Sequence, residues 1–369
     1  MFIYILLILV SLICAPLAKR RKEYYLTLVF FLLVLVSAFR GLDVGADTVN
    51  YCKLYQNIAR APFAKLSDMG VEVGFSIFCK LLSLISTDPR FFLIASSLLI
   101  NYLVALFIYR TSNDVVMSTF LYMSMYVYLA TFNAIREYMA IAIVLMAYVS
   151  LKRQKIVRAL IITLIAASFH YVALFFLPLI FISKFKNNKK TIALVTMVLI
   201  VLSTLAETLV NFIINNVPKY RYYLYYDYFT EGKGLDINII IYFAQFVALI
   251  FVFYNLSKLK SKPQKLLSAN FEHSDAAVLS DLWLLNIIIM VSLALSIMGI
   301  SIRLVHRVNY LFFFFMIIYI PKMLTFFKNK NKPLMQFLCI ICLCIYYVLM
   351  MSHNNHYVVP YSFVFNFAW

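Results

Sequence analysis

Arg40, Asp43 and Asp47 fall within one short stretch, FRGLDVGADTVNY, with Gly41 and Gly45 between them. A carboxylate can take the proton of an attacking hydroxyl, and an arginine beside it can neutralise a leaving anion. The chain has 15 acidic residues and 7 glycines in all, so two of each around one arginine is a concentration. The plainer reading is a solvated loop bent by its glycines, with Asp43 paired to Arg40 on one turn. Asp47 then remains as the candidate base. Tyr51 and Tyr55 follow at helical spacing, as a platform for a sugar ring or as part of an interfacial belt.

Other cationic side chains recur beside apolar runs. Arg136 stands in TFNAIREYMA, either as a functional cation at a bilayer boundary or as a surface partner of Glu137 with a snorkelling stem. His170 stands in AASFHYVALFFLPL, either as a packing residue or as a base or phosphate ligand. In SIRLVHRVNY, Arg303 and Arg307 are four apart and share a face if the segment is helical, with His306 adjacent. Two guanidinium forks on one face suit a pyrophosphate; the alternative is a charged span cap. Arg221 and Tyr222 open a tyrosine-dense stretch, KYRYYLYYDYFTEG, that suits carbohydrate or a membrane interface.

No GxxxxGK[ST], HExxH or GxSxG motif occurs, and no DxD, so the sequence predicts no metal and no cofactor. The elements that must position these residues are membrane helices. Hydrophobic residues make up 64% of the 369 residues and charged ones 13%. Mean hydropathy is +0.90. Soluble domains are about 45–50% apolar and about 25% charged. The net charge of +18 reflects Lys- and Arg-rich cytoplasmic loops rather than a nucleic-acid surface.

The basic clusters KRRK, KRQKIVR, KFKNNKK, KLKSKPQK and KNKNK are all placed on the cytoplasmic side. Residues 1–18 read as a retained signal anchor, because the positive charge follows the apolar run. Residues 40–90 form an outer loop, with 72–86 an amphipathic helix at the interface. Spans are expected over the apolar run 24–36 that leads into this loop and over 91–109, 115–132 and 135–151. The apolar run 159–182 has inside-type charge at both ends, so it is expected as a broken, re-entrant helical hairpin with His170 at its apex. Further spans follow over 191–215, 237–256, 281–300, 310–327 and 334–351. Residues 215–236 form the outer Tyr-rich loop. The expected fold is one all-α polytopic membrane domain over 1–369, with about ten spans plus the hairpin. Cys52 and Cys79 fall on the same side, which leaves a disulfide between them open.

In order along the chain, these segments resemble the EpsG/Wzy-type polysaccharide (O-antigen) polymerases. FRGLDVGADTVNY resembles the family's R-x-x-x-x-G-x-D-x-x-x-Y opening. NAIREYMAIAI resembles its Asn-x-x-Arg segment, and AASFHYVALFFLPL its Phe-His segment. KYRYYLYY is similar to its Tyr-rich loop and VPYSFVFN to a common tail. The resemblance implies a GT-C-like membrane glycosyltransferase in the bacterial inner membrane, working at its periplasmic face. It implies a substrate, an oligosaccharide repeat unit on undecaprenyl pyrophosphate, and a transfer of the growing glycan onto a new unit. The reaction would need neither nucleotide sugar nor metal. Membrane lipid and a chain-length regulator protein are the implied partners, and nucleic acid is not one.

The resulting assignment makes Asp47, His170 and Arg40 catalytic. Arg136, Arg303, Arg307 and His306 would hold pyrophosphate, and Tyr51, Arg221 and Tyr222 would hold glycan. A lipid-linked oligosaccharide flippase and an O-antigen ligase remain as alternatives on residue types.

Overall fold

The structure is a computed structural model that describes residues 1–185, 189–216, 273–301, 303–325, 331–354 and 356–364. Among them the regular structure is entirely helical. In chain order the helices are α1 (Phe2–Ile13), α2 (Ala15–Arg20), α3 (Lys22–Ala38), α4 (Thr48–Arg60), α5 (Val73–Ser83) and α6 (Pro89–Thr111). They continue as α7 (Val115–Ser124), α8 (Val127–Ala130), α9 (Ile135–Lys152), α10 (Ile156–Phe169), α11 (Leu177–Ile182) and α12 (Lys189–Asn216). The last are α13 (His273–Ser301), α14 (Arg303–Phe313), α15 (Met316–Leu324) and α16 (Lys332–His353). The chain divides into two compact units, Met1–Leu177 with Leu324–Trp369, and Pro178–Met323.

In the first unit, α9 is the core. It is apolar all round and buried from Ile135 to Leu151 on nearly every position, as a helix enclosed by other helices must be. Ala140, Ala142 and Ala147 are fully buried in it, and such small residues let helices approach closely. α6 packs between α3 and α9, and α10 lies along α9. α10 instead exposes Val157, Ile161, Leu164 and Ile165, the face an apolar solvent would wet.

Among the described residues four helical segments are long and apolar enough to cross a membrane: Phe2–Arg20, Pro89–Thr111, Leu282–Gly299 and Lys332–His353. A fifth results if the bent pair Val305–Phe313 and Met316–Leu324, at 45°, counts as one span. The expected span 237–256 lies outside the described residues.

Several stretches differ from simple rods. The run 115–132 is not one helix. α7 ends at Ser124, Tyr126 takes a left-handed backbone with φ 66°, and α8 is a single turn. No glycine or proline marks this break. The Tyr126 ring instead stacks on His356 at 5.4 Å and meets Tyr347 at 6.0 Å, so aromatic packing offsets the cost of the left-handed residue. The run 310–327 is likewise split, by a turn between α14 and α15. The helix after Lys155 stops at Phe169, His170 is extended with φ −160°, and a 3₁₀ turn, Tyr171–Phe176, follows. Cys52 and Cys79 are both buried free thiols rather than a disulfide.

In the second unit, α13 and α14 join through a buried polar network. Ser292 Oγ donates to Asn309 Oδ1 at 2.7 Å, and Asn309 Nδ2 donates to Ser296 Oγ at 2.8 Å. Gly299 lies against the His306 ring, where a Cβ would come within 2.8 Å of Nε2.

Candidate functional site

The loop after α3 is held by the far end of the chain. Gly41 N–H donates to the Ser362 carbonyl at 2.8 Å, Gly45 N–H to that of Tyr357 at 2.7 Å, and Val364 N–H to that of Phe39 at 3.0 Å. Tyr4 and Tyr361 hydroxyls add bonds to the Val358 and Val36 carbonyls, at 2.8 Å and 2.9 Å. The loop's own turn needs Gly45, whose φ is +94°. Its missing Cβ would lie 2.9 Å from Thr48 Oγ1, 3.1 Å from Asn133 Oδ1 and 3.2 Å from the Phe132 carbonyl.

Arg40 lies beneath this loop, not on it. It is 2% exposed. Nη1 donates to the Ser37 carbonyl, Nη2 to that of Phe132 at 3.3 Å and Nε to Thr48 Oγ1 at 3.4 Å. The guanidinium sits 4.7 Å from the Phe132 ring centre. Burial pushes its pKa down to about 10, with the neighbouring Arg90 acting in the same direction. The expected pairing with Asp43 does not form: Asp43 is exposed and accepts from the Ser362 hydroxyl. The reason is local, since Arg40 points inward to the Ser37 and Phe132 carbonyls, for which no other donor is found among the described residues.

Asp47 occupies the N-cap position of α4 but its side chain makes no capping bond. It is half-buried at the loop surface. One turn along, Tyr51 N–H donates to the Asp47 carbonyl at 3.0 Å. The Tyr51 ring packs on Phe75 and Phe92, each at 6.3 Å. Burial holds the Tyr51 hydroxyl above its ordinary pKa; the nearby Arg136 works against this, and the Asp47 charge works with it. Asp47, Tyr51 and Arg136 are therefore one neighbourhood.

Arg136, on the first turn of α9, forms an ion pair through Nη1 with Glu72 Oε2. Its guanidinium carbon is 5.8 Å from the Phe75 ring centre. The alternative reading, a surface pair with Glu137, does not hold, because Glu137 turns inward and is 2% exposed. Glu72 also accepts from Tyr171 N–H at 3.4 Å. That links Arg136 to the break at His170, whose Nδ1 accepts from Val172 N–H at 3.3 Å. With Nδ1 engaged as acceptor, the neutral ring carries its hydrogen on Nε2 and acts there as a donor. Sequence spacing missed Glu72. Its only signal was an acid opening an amphipathic segment.

The second unit carries the other cations. Arg303 and Arg307 both fall on α14, with Arg307 exposed and His306 half-buried beside Gly299. Arg221 and Tyr222, and the rest of the Tyr-rich loop beyond Asn216, lie outside the described residues. Among the described residues, no three His, Cys, Asp or Glu side chains are grouped to hold a metal ion.

Comparison with protein families matches the chain to the EpsG family over residues 23–363. No curated protein and no solved structure matches it.

Proposed function

The chain belongs to the EpsG family of Wzy-type polymerases, and from that premise we propose that it polymerises oligosaccharide repeat units carried on undecaprenyl pyrophosphate. It is a multi-pass, helical membrane protein of polysaccharide-polymerase type. In this reading it has about ten spans plus the broken hairpin in a GT-C-like arrangement. It lies in the bacterial inner membrane, its site faces the periplasm, and a chain-length regulator acts beside it. The lipid-linked sugar is already activated, so the transfer draws on no nucleotide sugar and no metal.

The observation that carries the reading is Asp47. Its carboxylate makes no capping bond at the loop surface and stands one turn from Tyr51, near Arg136. A hydroxyl at the non-reducing end of the new unit gives its proton to Asp47 as its oxygen attacks the anomeric carbon of the growing chain. The bond from that carbon to the diphosphate breaks, and its electron pair leaves with the lipid diphosphate. Arg136 neutralises that developing charge, and His170 Nε2–H donates to a phosphate oxygen. Arg303, His306 and Arg307 on α14 are the further candidates for holding a diphosphate. Tyr51, Arg221 and Tyr222 contact glycan. Arg40 serves by holding the loop that carries Asp47.

The test is purified protein in liposomes with lipid-linked repeat units, read on a gel. A ladder is expected. A single transfer onto lipid A core would mean a ligase. Movement of the units across the bilayer without new bonds would mean a flippase.

A further inference from the structure

We propose that Glu72 is a positioning residue that holds Arg136 and His170 in register with one another, a role that rests on the polymerase reading above. Glu72 is the N-cap of α5, yet it makes no capping bond there. Both of its oxygens go to other elements instead. Oε2 pairs with Arg136 on α9, and Oε1 accepts from Tyr171 N–H, the residue next to His170. The carboxylate is 6% exposed, so it reaches these partners from inside the protein.

The approach of α5 to this break is built in independently. Gly74 lies so near Ser168 that a Cβ on it would fall 2.1 Å from Oγ and 2.7 Å from the carbonyl oxygen. No other residue fits without moving backbone. One turn further, the Phe78 and Phe169 rings meet at 5.9 Å. The first turn of α5 is therefore clasped to the last turn of α10, and Glu72 sits at the edge of the clasp.

The charges agree with this role. The 3₁₀ turn that begins at Tyr171 directs its first N–H at Glu72 Oε1. Arg136 supplies the countercharge. Both Glu72 oxygens are taken, so it is not a base. Arg136 is held by one arm only. Its side chain keeps 24% exposure, and its Nε is buried without a partner among the described residues. A guanidinium fixed at one nitrogen and still 24% exposed is arranged to receive a second anion such as a diphosphate.

Glu72→Gln keeps an oxygen for Tyr171 but turns an amide toward Arg136. The first readout needs no activity. Phenylglyoxal modification of Arg136 and diethyl pyrocarbonate modification of His170 are followed by mass spectrometry in the intact protein. Both rates should rise several-fold in Glu72→Gln. The second readout is binding of undecaprenyl pyrophosphate in proteoliposomes. Glu72→Gln and Arg136→Lys should each weaken it about tenfold, and the double variant should be no weaker than either, because the two residues act as one unit. Unchanged modification rates, or losses that multiply to about a hundredfold in the double variant, would overturn the proposal. If Glu72→Gln does not fold, Arg136→Met tests the link from the other end, and an unchanged His170 rate there overturns it. If both rates rise while the wild-type protein binds no lipid pyrophosphate, the positioning role stands and the polymerase reading falls.

Discussion

The Arg40 guanidinium lies 4.7 Å from the ring centre of Phe132 and donates to the Ser37 and Phe132 carbonyls. It ties the end of α3 to the segment that enters α9, under the loop that carries Asp47. Its described contacts are carbonyls, a hydroxyl and a ring, not an acid. Removing it strands no countercharge, but it leaves buried carbonyls without donors. Arg40→Met fills most of the volume and should still lose about 2–3 kcal/mol of stability. Arg40→Lys should recover only part, since one ammonium cannot reproduce the fork. Thermal unfolding in detergent checks both. A catalytic role without a structural one predicts unchanged melting and lost activity instead.

Gly45→Ala should destabilise by about 1–3 kcal/mol, because φ +94° is strained for any side chain and the new Cβ meets three oxygens. Gly70, with φ +72° and nothing within 4 Å of its absent Cβ, is the control for strain alone. Gly45→Ala melting lower than Gly70→Ala is the expected order. Equal melting temperatures would mean that the oxygens around Gly45 yield freely.

The tail should loosen in acid. His356 stacks on Tyr126, and burial lowers its pKa to about 4 from 6.5. The folded chain therefore prefers the neutral ring. The stability this preserves is full above pH 6.5 and is lost as pH falls toward 4, by up to about 3 kcal/mol. Limited proteolysis of the tail at a series of pH values reads this directly. His356→Phe keeps the stack and should flatten the profile across that window. A profile that stays equally steep would assign the acid sensitivity to another group.

What was legible in the sequence was what depends on local pattern. Apolar runs marked most of the long helices, and the order of short motifs marked the family. The site was less legible where its partners are distant or are backbone. Glu72 and Arg136 are 64 residues apart, while spacing rules reach only one helical turn, which is why Glu137 looked like the partner. Arg40 looked reactive because its acceptors are carbonyls, which every sequence has. The bond from Tyr4 to Val358 joins positions 354 residues apart, so nothing local announced that the tail covers the loop. The break at Tyr126 carries no glycine or proline, and only the stacked rings account for it.

The most direct measurement is chain growth by Asp47→Asn, beside His170→Gln, in liposomes with lipid-linked repeat units. Asparagine keeps the size of Asp47, and there is no capping bond to lose, so folding should be unaffected. His170 offers a donor rather than a base, and glutamine can replace a donor. The account predicts no ladder from Asp47→Asn and a shortened or slower ladder from His170→Gln. A full ladder from Asp47→Asn, with none from His170→Gln, would contradict it and move the chemistry to the break after α10.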